Sequence, residues 1–225
     1  MDNNILKNAL QSGYIERSLA KGVHIAPKPL STNTAQLNAW YEFCKLNKIF
    51  PRYQDISIDK LIIPPNEDGE PFSAKAMRWI NRPRSLVLRG RAGRGKTHFM
   101  FALVREMFLS KGLRVGDIRY FDHVELDRRL QEEMVKYKSS RGIMEQLCDT
   151  PILVLDDFGI DAGTVRHERD FYEMLNNRFG NNLITIISTN LDEPSLYKAY
   201  GERISSRLKE AAVIEFNGQD LRGTF

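Results

Sequence analysis

The sequence predicts an α/β protein, a parallel five-stranded sheet sandwiched by helices and preceded by a small helical region. Three observations predict it. From residue 85 onward, short apolar runs alternate with helical patterns, the signature of strand–helix–strand units in a parallel sheet. Ile152-Leu153-Val154-Leu155 is continuously apolar, as expected of a strand covered on both faces. Finally, a glycine-rich stretch, Gly90-Arg91-Ala92-Gly93-Arg94-Gly95-Lys96-Thr97, follows one apolar run and opens a helical pattern.

Residues 1 to about 50 read as helical. Ile5, Leu6, Ala9 and Leu10 share one face; Leu37, Trp40, Tyr41 and Cys44 share another at helical spacing. Between them Ala26-Pro27-Lys28-Pro29 forms a stiff connector, and Pro51 is expected to stop the second helix. Trp40, Tyr41, Phe43 and Phe50 cover more than one face of that helix, which suits core packing or anchors for a partner's groove. Ile63 to Pro71, rich in proline, Asn, Asp and glycine, reads as a loop. A short helix, Ser73 to Ile80, leads into the strand Ser85 to Leu88. After the glycine loop come a helix from His98 to Ser110, a strand from Arg114 to Phe121 and a charged helix from His123 to Tyr137. A short helix, Gly142 to Leu147, precedes the strand Ile152 to Leu155. Next follow a helix from Thr164 to Phe179, a strand from Leu183 to Ser188, and helices from Pro194 to Tyr200 and from Glu202 to Glu210. Val213 to Phe216 is the last strand. The chain thus divides into a helical region over 1–50, a linker with lead-in helix over 51–84, and an α/β domain over 85–225.

The formal charge of +4 and the 42% hydrophobic content over 225 residues describe a mildly basic globular chain. That charge is compatible with nucleic acid but does not require it. Cys44 and Cys148 stand far apart; their spacing builds no zinc site, and two buried thiols in a reducing compartment is the expectation. No run of 18 apolar residues exists, and the start Met1-Asp2-Asn3-Asn4 lacks the charged and apolar parts of a signal peptide. A cytoplasmic protein without a membrane partner is expected.

The glycine stretch satisfies every fixed position of the phosphate-binding P-loop pattern, G-x-x-x-x-G-K-[ST], between a strand and a helix. Glycines let consecutive backbone N–H groups converge on a phosphate, and the helix N-terminus faces the same anion. Gly90, Arg91, Ala92, Gly93, Arg94, Gly95, Lys96, Thr97 and the following His98 are therefore the candidate ATP contacts. Lys96 neutralises the β- and γ-phosphates, and Thr97 offers a hydroxyl to Mg²⁺. Asp156 and Asp157 end the strand Ile152 to Leu155, where such an enzyme needs carboxylates. Asp156 is the candidate for Mg²⁺, partly through water, and Asp157 for orienting or deprotonating the attacking water. Asn190 closes the next strand as Ser188-Thr189-Asn190; its amide reaches the γ-phosphate or water, or simply makes a turn. Arg203 and Arg207 lie four residues apart on one helix face, either solvated or able to enter a neighbouring subunit's ATP site. No Asn-Lys-x-Asp element follows the P-loop, since Asn47-Lys48 precedes it, so guanine specificity is not expected.

Together, the P-loop ending Gly-Lys-Thr-His, Leu-Asp-Asp-Phe-Gly, Ser-Thr-Asn and Gly-Glu-Arg-Ile-x-x-Arg-Leu resemble the AAA+ domain of DnaC/DnaI-type replicative helicase loaders, close to IstB-type transposition ATPases. The likeness spans roughly residues 50–225. It implies a P-loop NTPase of the AAA+ class with no C-terminal helical lid, using ATP and Mg²⁺. By that resemblance Arg207 is the arginine finger acting in trans, Arg203 the arginine one turn before it, and Arg222 the second sensor arginine. The implied partners are a DnaB-type helicase hexamer, single-stranded DNA and further copies of the chain, with residues 1–50 the candidate helicase-binding region. A transposition helper on duplex DNA, or an adaptor that does not turn over ATP, are the competing expectations. Relatives also carry an extra helical element near residues 121–148 that meets single-stranded DNA. Lys136, Tyr137, Lys138 and Arg141 supply cations and a ring there, although Glu125, Asp127, Glu132 and Glu133 on the same helix equally suit a solvated face.

Overall fold

The computed structural model describes residues 34–159 and 165–222. The apolar face of Ile5, Leu6, Ala9 and Leu10 and the Ala26–Pro29 connector lie outside them. By its contacts the chain forms two compact units. One comprises the described residues up to Pro83 with Thr97–Ile118; the other comprises Arg84–Lys96 with the described residues from Arg119 onward.

The first unit is built on helix α4 (Lys96–Lys111). Phe99, Met100, Phe101, Ala102, Leu103 and Val104 are all buried, so over this stretch the helix is apolar on every side, as an enclosed stretch must be. Helix α1 (Thr34–Leu46) sets Trp40 and Phe43 against Phe108, with ring centroids 5.9 and 5.4 Å apart. The Trp40 indole N–H donates to the Gln54 carbonyl at 2.7 Å, so the buried ring keeps a polar partner. The aromatic set divides: Trp40 and Phe43 are core, whereas Tyr41 and Phe50 are 38% and 67% exposed. Pro51 does not end α1. The helix stops at Leu46 and the chain turns through Lys48 at φ 52°. Pro51 then opens the short helix α2 (Pro51–Gln54), a position where its missing N–H costs nothing. Tyr53 on α2 stacks on Phe101 at 5.1 Å. Helix α3 (Phe72–Asn81) adds Phe72, edge-on to Phe99 at 5.6 Å.

The second unit holds the sheet. Strands β1 (Leu86–Arg89), β2 (Ile118–Asp122), β3 (Ile152–Asp156), β4 (Ile184–Thr189) and β5 (Ala212–Glu215) lie in the order β2-β3-β4-β1-β5. The register pairs Arg89 with Thr189 and with Glu215, and Leu155 with Ile187, all in parallel. Every residue of β3 and β4 is buried. Helices α5 (His123–Tyr137), α6 (Arg141–Asp149), α7 (Val165–Gly180) and α8 (Glu193–Lys209) accompany the sheet. Leu126, Leu147, Met174, Leu175, Ile204 and Leu208 from these helices join Val87, Leu153, Leu155 and Ile187 in one core. Helix α8 breaks at Gly201 (φ 73°, ψ −179°), so it consists of the two helical segments the sequence predicts.

The strand expected from Arg114 starts late. The Asp117 carboxylate accepts the Arg114 backbone N–H at 2.8 Å and its guanidinium at 3.2 Å. That closure winds Val115–Asp117 into a single 3-10 turn, and β2 begins only at Ile118. Cys44 is buried as expected, but Cys148 is half-buried, a departure from the expected pair of buried thiols. Among the described residues no helix is long and apolar enough to cross a membrane.

Candidate functional site

The parallel register brings the C-terminal ends of β1, β3 and β4 to one edge of the sheet, where ligands bind in open α/β folds. Gly90 continues from β1, its N–H donating to the Thr189 carbonyl at 3.3 Å. Gly90, Gly93 and Gly95 have φ of 152°, 78° and 89°, so the loop curls through conformations that favour glycine. A Cβ on Gly90 would collide with the Phe216 backbone carbonyl, and one on Gly93 with the Asp220 carboxylate. The segment after β5 clasps the same loop. The Leu221 N–H donates to the Gly93 carbonyl at 2.9 Å, and Arg94 Nη1 to the Phe216 carbonyl at 3.1 Å. Arg91 and Ala92 are exposed at the tip.

Lys96 is only 5% exposed. Its ammonium donates to the Gly90 carbonyl at 2.7 Å, the Arg91 carbonyl at 3.0 Å and Asn190 Oδ1 at 2.6 Å. Burial lowers its pKa, while the nearby Asp157 and Asp156 oppose that shift, and Arg222 and Arg94 reinforce it. Arg222 follows Leu221 on the clasping segment, and its own N–H donates to Asp220 Oδ1 at 2.9 Å. The Asn190 amide, having accepted from Lys96, donates Nδ2–H to Asp157 Oδ1 at 3.4 Å. Asp156 is buried and accepts the Ser188 hydroxyl. Asp157 adopts φ 53°, a left-handed conformation uncommon outside glycine, and its N–H donates to Ser188 Oγ at 2.9 Å. The structure therefore gathers Gly90–Lys96, Asp156, Asp157, Asn190 and Arg222 into one cluster. Thr97 is the first residue after Lys96 in α4. His98 lies edge-on to Tyr53 at 4.8 Å, its pKa pushed down by burial and then by Arg52.

A backbone cradle too tight for side chains, a buried ammonium and adjacent carboxylates fit a triphosphate. Among the described residues no three His, Cys, Asp or Glu gather into a metal cage. A Mg²⁺ shared between one carboxylate and substrate phosphates needs none.

Comparison with known proteins agrees with this geometry. The family model of the IstB-like ATP binding proteins matches residues 72–203. The chain belongs to the IstB-like ATP-binding family. A Mycobacterium tuberculosis protein, named for ATP binding and for its insertion sequence, is 29% identical over 106 residues, 46% of this chain and 39% of that relative. The match thus spans about two fifths of the relative's length. In fold, the chain is similar to the DnaC helicase loader (24% identity, TM-score 0.64, covering 75% of this chain and 100% of that one). It is also similar to DnaI (22%, 0.59, covering 75% and 95%) and to AMPPCP-bound DnaA from Aquifex aeolicus (18%, 0.59, covering 75% and 51%). The IstB-like chain therefore shares the fold of these proteins and is an ATP-binding protein.

The remaining candidates of this IstB-like chain lie elsewhere on the second unit. Arg207 donates to Glu210 at 2.6 Å and to Asn176 Oδ1 at 2.7 Å, and Arg203 lies 5.7 Å above the Tyr172 ring. Both are held at the α7–α8 surface. Tyr137 is 62% exposed with the Lys136 ammonium 5.0 Å over its ring. Lys138 caps α5 at φ 56°, and Arg141 pairs with Glu145 at 2.7 Å. Three residues escaped the sequence reading. Ser188 lies two positions before Asn190, so strand alternation puts both on one face, a signal that was available. Asp220 against Gly93 left no sequence signal. Arg178, 0% exposed, donates to the Leu147, Thr150 and Ile184 carbonyls and to Thr185 Oγ1 at 2.6 to 2.9 Å; a lone arginine inside an amphipathic helix carries no mark of burial.

Proposed function

We propose that this chain is an ATP-hydrolysing switch that loads a DnaB-type replicative helicase onto single-stranded DNA. The observation that carries the switch is the relay Lys96–Asn190–Asp157, with contacts of 2.6 and 3.4 Å. A γ-phosphate competes for the Lys96 ammonium, so the Asn190 amide must exchange partners when a triphosphate arrives. Because its other end touches Asp157, that exchange repositions the carboxylate that orients or deprotonates water. Asp156, buried at the end of β3, would be the residue that holds Mg²⁺. Such an ion would supply positive charge against the charge that develops on the phosphates. Glycines 90 and 93 keep side chains away so that loop amides meet the phosphates. Arg207, supported by Arg203, extends from the surface of one copy to the transition state on the next, so self-association completes the site. Lys136, Tyr137, Lys138 and Arg141 grip DNA phosphates and stack on a base.

The loader reading draws on the ordered motifs and on the fold shared with DnaC and DnaI. A transposition helper acting on duplex DNA is the second reading, favoured by the IstB-like family match and the insertion-sequence relative. Mixing the protein with the host's replicative helicase, in ATP and in ADP, separates them by the mass of any complex. The loader reading expects a complex whose amount differs between the nucleotides, and phosphate release stimulated by single-stranded DNA. No helicase complex, together with tighter binding to duplex DNA, would instead establish the transposition reading.

A further inference from the structure

We infer that Ser188 is a positioning residue for ATP turnover, one hydroxyl that orients both Asp156 and Asp157. The inference rests on the ATPase reading and deepens it. Ser188 is 0% exposed on β4, and its Oγ meets two neighbours on the adjacent strand. The Asp157 backbone N–H, 2.9 Å away, can only donate. Ser188 Oγ must therefore accept there, which leaves its single proton for Asp156 Oδ1. The same Oδ1 also receives the Asp157 N–H at 3.1 Å. Three atoms of three residues thus close a triangle in which every direction of donation is fixed. The triangle holds the Asp156 carboxylate in one rotation and Asp157 at φ 53°, a backbone state that persists only where its surroundings enforce it.

The strands do not need this hydroxyl to pair. The β3–β4 ladder continues through Leu155↔Ile187, and the Ser188 carbonyl accepts the Phe158 N–H at 2.8 Å. The Ser188 side chain is thus left with the orientation of the Asp156 carboxylate and of the backbone that carries Asp157, one residue assigned to Mg²⁺ and the other to water. Its removal acts on metal affinity and turnover before it acts on nucleotide grip, because the P-loop amides and Lys96 are untouched.

The test is steady-state ATP hydrolysis by the full chain, with single-stranded DNA present, over a range of Mg²⁺ concentrations. Ser188→Ala is expected to lower kcat by about 100-fold, the scale of an ångström of misplacement. It should also raise the half-saturating Mg²⁺ by about tenfold, as loss of a ligand's supporting hydrogen bond does. KM for ATP should stay within about threefold, because substrate-only contacts remain. Ser188→Thr, which keeps the hydroxyl, should follow the unaltered protein. Ser188→Ala with unchanged kcat and Mg²⁺ dependence would overturn the inference, as would Ser188→Thr binding ATP normally yet failing as badly as alanine. No turnover by the unaltered protein would overturn the ATPase reading itself. The two failures are therefore distinct.

Discussion

Gly93 sits where the chain needs both a positive φ and an empty side: its φ is 78°, and the Asp220 carboxylate fills the space a Cβ would take. Gly93→Ala must therefore push Asp220 away or flatten the loop, and either moves the amides that meet phosphate. The change should leave the protein folded while weakening nucleotide affinity at least about tenfold, roughly 1.4 kcal/mol; fluorescence of a labelled nucleotide reads this, and unchanged affinity would refute it. At Lys96 two influences compete. Burial disfavours the ammonium, the nearby Asp157 and Asp156 favour it, and its three acceptors supply the hydrogen bonds that burial removes from water. At this scale the sequence was legible where a motif dictates the residue type: Gly90, Gly93, Lys96 and Asp156 stood out because few side chains suit those places, and the structure brings them together. Ser188 and Asp220 were not legible, because a serine or aspartate has many ordinary uses and only the fold shows what it touches.

Among the elements, helix α7 carries the least ordinary device. Arg178 crosses the core and ties the carbonyls of Leu147, Thr150 and Ile184 together, joining α6, the turn before β3 and the start of β4. Burial lowers its pKa, and its hydrogen bonds hold the guanidinium among oxygens rather than beside a carboxylate. Arg178→Ala opens a cavity and orphans three carbonyls, so unfolding stability should fall by about 3–5 kcal/mol. A denaturant midpoint within experimental scatter of the unaltered protein would contradict this. Periodicity and glycine placement made most elements readable, including α5 over His123–Tyr137 and the break at Gly201 in α8. Two boundaries were missed for local reasons. Pro51 starts a helix because a turn at Lys48 had already ended the previous one. Asp117 diverts Arg114 into a 3-10 turn before β2 because its carboxylate offers the backbone a nearer partner than the sheet.

For the molecule as a whole, the strand order β2-β3-β4-β1-β5 follows from parallel crossovers around β1. That order is what places Asp156 and Asn190 beside the loop that follows β1. The parallel sheet was foreseeable from alternating strands and helices, and the motifs foretold which strand ends meet: Lys96, Asn190 and Asp157 are joined by hydrogen bonds. What the linear chain could not show is that Thr97–Ile118 belongs to the same compact unit as the N-terminal described residues, since a unit is defined by packing and not by order along the chain. The proposed helicase loading, DNA contact and action in trans would all depend on one prior event, capture of a triphosphate by the loop from Gly90 to Lys96. Calorimetric titration of the full chain with ATP and Mg²⁺, beside Lys96→Ala, tests that event most directly. Saturable heat from the unaltered protein and none from Lys96→Ala is the predicted result; no heat at millimolar ATP, or equal binding by the variant, would contradict it.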